Sequence, residues 1–131
     1  MVSLTSLRLS HNYNDEDGFF TWGVKGLLPT ELGQLKNLQH LDLRDNYLTG
    51  TLVTELGRLR QLRTLNLRNN FLMGPIPRYY ANCVALEELF LQDNNIDGRK
   101  FSVPEDVCHL PGLDLAQVDC GVGCSCCLTA C

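Results

Sequence analysis

The residues with the clearest capacity for chemistry are six cysteines crowded near the end of the chain. They are Cys108, Cys120, Cys124, Cys126, Cys127 and Cys131. Six thiols can close three disulfide bridges, so we expect a disulfide-stapled terminal cap. Because Cys124-x-x-Cys127 also fits the spacing of zinc ligands and of redox dithiols, with His109 nearby, a metal-binding tail and a thiol redox site are the alternatives. Zinc needs a closed set of ligands, and the chain has no second clean CxxC pair.

No catalytic motif accompanies these cysteines. Hydrolase elbows, P-loops, dinucleotide fingerprints and the kinase signatures are all absent from the sequence. His11, His40 and His109 have no nucleophile or carboxylate held beside them by a recognisable motif. The sequence therefore predicts no enzyme, no catalytic residue and no cofactor.

The chain is built from repeated units, and these units must position its side chains. The unit that begins at Leu38 reads LxxLxLxxNxLxG. It recurs after 24 residues from Leu62 and again from Leu86, where Ile96 replaces the last leucine. An earlier copy begins at Leu4 and a degenerate copy at Leu113. A fixed period of this length is the signature of a solenoid, in which each unit buries its leucines only by stacking on its neighbours.

The second half of each unit completes a family resemblance. Gly26–Leu35 reads GLLPTELGQL and Gly50–Leu59 reads GTLVTELGRL. With the first half, these units resemble the plant-type leucine-rich-repeat family of receptor-like kinase ectodomains and secreted proteins. The resemblance implies a short right-handed α/β solenoid with a parallel sheet of about five strands on its concave face and 3₁₀ turns on its convex face. This chain departs from the family pattern at Val53, which replaces proline, and at Tyr80 and Cys83, which replace leucine.

We expect a single domain over residues 1–131, with repeats starting near positions 4, 38, 62, 86 and 113. A loop is inserted at 13–25, and the cysteine-rich cap covers 108–131. The sequence at and just before this cap reads VPEDVC, followed by DC and CSCC. It is similar to the C-terminal sequences of diatom and algal leucine-rich-repeat proteins.

The seventh cysteine lies outside this cap. Cys83 aligns with core leucines of the earlier units, so we expect it to be a small buried free thiol.

Alternation within each short strand separates a core from a surface. The leucines of each LxL segment point inward, and the residues between and beside them point outward onto the concave face. We predict that the concave face binds a ligand through nine aligned side chains. They are His40, Asp42, Arg44, Thr64, Asn66, Arg68, Glu88, Phe90 and Gln92. Phe90 places an apolar ring on a mostly polar face, which is typical of a binding contact, although it could also cover its neighbours.

Two arginines of this face support more specific hypotheses. As stacked neighbours, Arg44 and Arg68 could clamp a carboxylate or a phosphate. The alternative is that they form ion pairs with the carboxylates of Asp42, Asp45 and Asp93.

A set of aligned asparagines falls where the chain must turn. We interpret it as a structural ladder that satisfies the hydrogen bonds of backbone groups. Its members are Asn12, Asn46, Asn70 and Asn94.

The inserted loop is acidic in its first part and aromatic in its second. Asp15, Glu16 and Asp17 could hold calcium, but their spacing misses the EF-hand register. An open solenoid end needs a cover. Our hypothesis is that Phe19, Phe20 and Trp22 fold back as an N-terminal cap, with a ligand-binding arm as another interpretation.

Composition limits the partners. The net charge of -4 argues against a nucleic-acid binder and against direct binding to anionic membranes. No apolar run is long enough to insert into a membrane, and no signal peptide is recognisable. Because the cysteines indicate an oxidising compartment, we expect an extracellular or cell-surface location, with the cytoplasm as the alternative.

These observations favour a non-enzymatic recognition module that binds a protein or peptide across the concave strands. One alternative is a structural fragment of a longer repeat protein, which would pair with further repeats or with itself through its N-terminal end. The other is the metal-binding cysteine tail.

Overall fold

A computed structural model of the chain describes residues 3–10, 23–97, 100–119 and 122–127. Within these residues, eight short strands form two parallel sheets. The larger sheet has the order β1-β3-β5-β7-β8, and its strands are β1 (Ser6–Arg8), β3 (His40–Asp42), β5 (Thr64–Asn66), β7 (Glu88–Phe90) and β8 (Leu115–Gln117). The smaller sheet has the order β2-β4-β6, with β2 (Lys25–Leu27), β4 (Tyr47–Thr51) and β6 (Phe71–Met73). The predicted leucine-rich-repeat solenoid with a five-stranded parallel sheet is confirmed.

The core lies between the sheets and the turns as ladders of equivalent leucines. Leu41 pairs in register with Leu65, which pairs with Leu89, and their exposed fractions are 0%, 1% and 0%. The degenerate last unit continues the ladder with the smaller Ala116, which is also fully buried. Burial of a leucine side chain is worth about 2 kcal/mol, so the ladders supply much of the driving force for stacking.

In the described part of the chain, three 3₁₀ helices form the opposite side of the coils. They span Thr30–Gln34, Thr54–Arg58 and Arg78–Asn82. The residue before each helix, Pro29, Val53 or Pro77, has extended backbone with ψ of 133°, 133° and 128°. Val53 therefore adopts the conformation of the prolines that it replaces, which explains how the pattern tolerates this departure.

The fourth unit differs from the first three. After Pro104 the chain forms α1 (Glu105–Cys108), a single α-helical turn in place of a 3₁₀ helix. The amide of His109 donates to the carbonyl of Glu105 at 2.9 Å. Glu105 and Asp106 lie in the first turn, where carboxylates favour helix formation through the helix dipole.

A ladder of asparagines joins consecutive coils; Asn46 and Asn70 are buried and Asn94 is half-buried. The Asn70 Nδ2 donates to the carbonyl of Leu43 in the preceding coil at 3.0 Å, and its Oδ1 accepts the amide of Leu48 at 3.0 Å. Asn46 and Asn94 make the equivalent contacts one coil earlier and one coil later. These amides satisfy backbone groups that would otherwise be buried without partners, as the sequence predicted.

The residue before each of these asparagines turns the chain. Asp45, Asn69 and Asp93 have φ of 56°, 52° and 59°. Short polar side chains tolerate this left-handed region better than other residues with a Cβ. The turn directs the chain away from the concave sheet and therefore fixes where the candidate binding face ends.

Candidate binding site on the concave sheet

Strand register brings the predicted concave residues together. The nine predicted side chains all line one depression of about 470 Å³ over the five-stranded sheet. Arg8 and Gln117 complete its lining. Gln117 was missing from the sequence-predicted set, although its register with Phe90 could have been found by extending the alternation into the degenerate unit. The register is confirmed, whereas a binding role for these residues is still a prediction.

One row of the depression is a chain of hydrogen bonds across three strands. The Thr64 hydroxyl donates to Glu88 Oε2 at 3.0 Å, and the Nδ1 of His40 lies 3.3 Å from the Thr64 oxygen. Because the threonine proton points toward Glu88, His40 must supply the proton of the second bond. In a hydroxyl nucleophile activated by histidine, the hydroxyl donates its proton to the histidine. The hydrogen bonds of this row run in the opposite direction. The row is therefore suited to holding side chains in fixed positions.

The next row supports the backbone. Asp42 Oδ1 accepts the amide of Arg44 at 3.3 Å, and Asn66 Oδ1 accepts the amide of Arg68 at 3.2 Å. Asn66 is 8% exposed. Both side chains thus shape the turn after their strands, and this structural role accompanies any contact that they make with a ligand.

The two arginines have carboxylate partners on this face. Arg68 Nε lies 2.9 Å from Asp93 Oδ2, and Arg44 Nε lies 3.6 Å from Asp42 Oδ2. Asp45, the third candidate partner, accepts a hydrogen bond from the Nδ2 of Asn69. Two of the three candidate carboxylates thus contact these arginines. A guanidinium has five N–H donors, so each arginine keeps donors for a further partner.

The far end of the depression combines an apolar ring with amide groups. Phe90 is half-buried in β7, and its strand partner is Gln117. The Gln92 Nε2 donates to Gln117 Oε1. A ring held beside amides offers both apolar contact and hydrogen bonds, a combination found at the centres of protein interfaces.

Among the described cysteines, two disulfides stabilise the C-terminal segment. They join Cys108 to Cys126 and Cys124 to Cys127. The CxxC pair is therefore bridged to itself, while the other bond ties the segment to α1. Four of the six cysteines predicted for the cap are therefore disulfide-bonded.

Several predicted residues lie outside the described part of the chain. They are His11, Asn12, Asp15, Glu16, Asp17, Phe19, Phe20, Trp22, Cys120 and Cys131. The aromatic cap and the calcium interpretation are therefore untested. In the adjoining described residues, Leu9 is 43% exposed and Leu27 is 72% exposed.

The remaining cysteine lies in the core. Cys83 is a free thiol with 1% exposure, as predicted, and its Sγ donates to the carbonyl of Leu56 at 3.3 Å. Burial raises the pKa of Cys83 to about 11, which keeps the thiol protonated and unreactive near neutral pH.

Comparisons with known proteins agree with this architecture. The sequence model of the Leucine Rich Repeat family matches residues 37–59 and 61–83. A search of curated proteins returned no significant match.

Solved structures share the fold at moderate sequence identity. The plant peptide hormone receptor RGFR1 in complex with RGF2 is similar with a TM-score of 0.76 and 31% identity, over 88% of this chain and 17% of the receptor chain. The Arabidopsis receptor kinase HAESA, in complex with the peptide hormone IDA and the co-receptor SERK1, has a TM-score of 0.70 and 30% identity, over 91% of this chain and 18% of that chain. A plant ice-binding protein has a TM-score of 0.66 and 29% identity, over 72% of this chain and 30% of that chain.

This chain thus spans less than a third of the length of these three structures. Within that part, its repeats, its parallel sheets and its 3₁₀ turns all follow one pattern. The chain has the solenoid fold of leucine-rich repeats, and its structural neighbours include a plant peptide hormone receptor and an Arabidopsis receptor kinase.

Proposed function

We propose that this chain is a non-enzymatic recognition module, which binds a peptide or a protein segment in the depression over its five-stranded sheet. The observation that carries the proposal is the lining of that depression by side chains from five successive coils, with Phe90 among fixed polar groups. Side chains held in place before binding lose little entropy on association. Support also comes from two structural neighbours, a plant peptide hormone receptor in complex with RGF2 and a receptor kinase in complex with the peptide hormone IDA.

The chemistry of the face favours a peptide over a nucleic acid. Its arginines are accompanied by Asp42, Glu88 and Asp93, and the whole chain has a net charge of -4. A nucleic-acid site would need a basic stripe without such carboxylates. Mixed charge, amides and an aromatic ring match the polar backbone and varied side chains of a peptide.

Panning of a random-peptide phage library on the folded, oxidised chain tests this function. We expect enriched peptides whose affinity falls more than tenfold with Phe90→Ala, which removes the apolar contact, and with Thr64→Arg, which fills the centre of the depression. Arg58→Ala is the matched control, because Arg58 is exposed on the second 3₁₀ helix and should leave affinity unchanged. Peptides that bind both concave variants as tightly as the wild type would contradict the site.

The location that we propose is extracellular or at the cell surface. Disulfides such as those of Cys108 and Cys124 are typical of oxidising compartments. Among the described residues, no helix has the length and apolar character needed to cross a membrane. Thiol counting on protein isolated from its native source tests the assignment, since a cytosolic protein would yield reduced cysteines.

Self-association is a second candidate, and it is favoured by exposed leucines at the first coil. Leu4, Leu9 and Leu27 are 44%, 43% and 72% exposed, and all of β2 is exposed. Light scattering should then report a mass that rises with concentration, and Leu27→Asp should reduce that rise. A constant monomer mass would exclude this candidate and leave the peptide-binding proposal intact.

A further inference from the structure

The two disulfides form one compact cluster of sulfur atoms. The Sγ atoms of Cys108, Cys124 and Cys126 all lie within 4.8 Å of one another. Between the two bridges, Cys124 Sγ lies 3.7 Å from Cys126 Sγ. Cys127 is bonded to Cys124, but its sulfur lies outside this group of three. Three sulfurs from two chain segments therefore share one location with a fourth beside them, and each parent side chain is half-buried.

We propose that this cluster is a redox-gated metal site, in which the four thiols released by reduction bind a single Zn²⁺ ion. In a tetrahedral zinc site, Zn–S bonds of about 2.3 Å place the sulfurs about 3.8 Å apart. The contact between Cys124 and Cys126 already has this length. After reduction the bonded pairs must separate from bonding distance, and the sulfur of Cys127 must also move toward the other three. The CxxC spacing that the cap uses for a disulfide is also a spacing of zinc ligands.

Contacts other than disulfides keep the two cysteine-bearing segments together. The amide of Val103 donates to the carbonyl of Gly123 at 2.7 Å, within a parallel bridge between Ser102 and Gly123. Val107, next to Cys108, is fully buried, and Val122 is 8% exposed. Because these contacts do not depend on the S–S bonds, the thiols stay close to one another after reduction.

Reduction of the two disulfides releases the thiols that zinc binds. A dithiol reductant gives two electrons and two protons to each protein disulfide, whose S–S bond breaks, and the reductant leaves as its own disulfide. Two such reactions yield the four protein thiols of Cys108, Cys124, Cys126 and Cys127. The Zn²⁺ ion then binds these sulfurs as thiolates and displaces their protons into solvent. The same four residues thus close the end of the solenoid in an oxidising or in a reducing environment.

Metal analysis of the full-length chain tests this site. The protein is reduced with a water-soluble trialkylphosphine, which becomes the phosphine oxide and offers no competing thiol, and it is then equilibrated with Zn²⁺ and desalted without oxygen. We expect about one zinc per reduced chain and none per oxidised chain. Circular dichroism should show the same secondary structure in both forms. Replacement of zinc by Co²⁺ should give the visible absorption of tetrahedral thiolate coordination.

Variants identify the ligands. Cys126→Ser and Cys124→Ser should each abolish stoichiometric binding, whereas Cys83→Ala and the double change Cys120→Ser with Cys131→Ser should retain it. Retention of zinc in both single variants, or its loss in the double variant, would overturn the ligand assignment. If a single variant unfolds, Cys127→Ser serves in its place with the same expectation. A folded, reduced wild-type chain without bound zinc would overturn the proposal, as would a chain that unfolds on reduction with zinc present.

Discussion

The hydroxyl of Tyr80 donates a hydrogen bond to the backbone carbonyl of Val53 at 3.1 Å, from one coil to the previous one. Both residues are departures from the family pattern, since leucine and proline are expected at these positions. Tyr80 is 1% exposed, so its polar tip needs a partner inside the protein. The two departures thus meet at a single contact.

Tyr80→Phe removes this hydrogen bond and leaves the Val53 carbonyl with one partner fewer. We expect the free energy of unfolding to fall by about 1 to 3 kcal/mol, the usual cost of an unsatisfied buried group. Urea denaturation measures the change. Tyr79→Phe is the matched control, because Tyr79 is 56% exposed and its change should have almost no effect. Equal midpoints for the Tyr80 variant and the wild type would contradict this role.

The buried thiol of Cys83 should make the fold sensitive to alkali. Burial raises the pKa of Cys83 from 9.0 to about 11, so the unfolded chain loses this proton first as the pH rises. The stabilisation is complete below pH 9 and is lost progressively toward pH 11, at up to about 1.4 kcal/mol per pH unit. Burial also raises the pKa of Tyr80 well above its usual range, and this adds to the trend at higher pH.

Urea midpoints at pH 8, 9.5 and 10.5 check this dependence. In Cys83→Ala the fall between pH 9 and pH 11 should be smaller, while the midpoint at pH 8 reports the cost of the lost side chain. The same slope in both proteins would show that the thiol is not responsible.

Asn70→Ala should be among the most damaging single changes. It removes a buried amide that joins Leu43 and Leu48 to the third coil. The amide of Leu48 then loses its acceptor, whereas the carbonyl of Leu43 keeps only the Nδ2 of Asn46 as a donor. We expect a loss of about 3 kcal/mol or more in the free energy of unfolding, because several buried partners lose their bonds together. Thermal denaturation followed by circular dichroism measures it. Asn82→Ala, at an exposed position, should leave the transition within experimental error.

Gly57→Ala should destabilise the contact between consecutive 3₁₀ helices. A Cβ at Gly57 would press against the backbone carbonyl of Tyr79 in the next coil, where no flexible side chain can move away. We expect a loss of about 1 to 3 kcal/mol, as for overpacking in a core. Gly112→Ala is the control, since its Cβ would meet its nearest atom at an ordinary 3.7 Å. A tolerated Gly57→Ala would show that the coils can separate at little cost.

The sequence was most informative where each coil repeats the last. The stacking of Leu41, Leu65 and Leu89 followed from spacing, because a leucine can be buried in such a coil only beneath its equivalent in the next. The same periodicity predicted the outward columns that include His40 and Phe90. Where the period weakens, prediction was poorer: the α-helical turn of α1 and the place of Gln117 in the depression were both missed.

By itself, the sequence determined the repeat, the solenoid, the buried asparagine ladder and the polar character of the concave face, because these depend on residue type at fixed spacing. Only the tertiary structure decided which side chains are partners across coils. Arg68 pairs with Asp93, Thr64 donates to Glu88, and Cys108 bonds to Cys126 across 18 residues of chain. Such choices depend on distances of a few ångströms between coils, and no local periodicity encodes those distances.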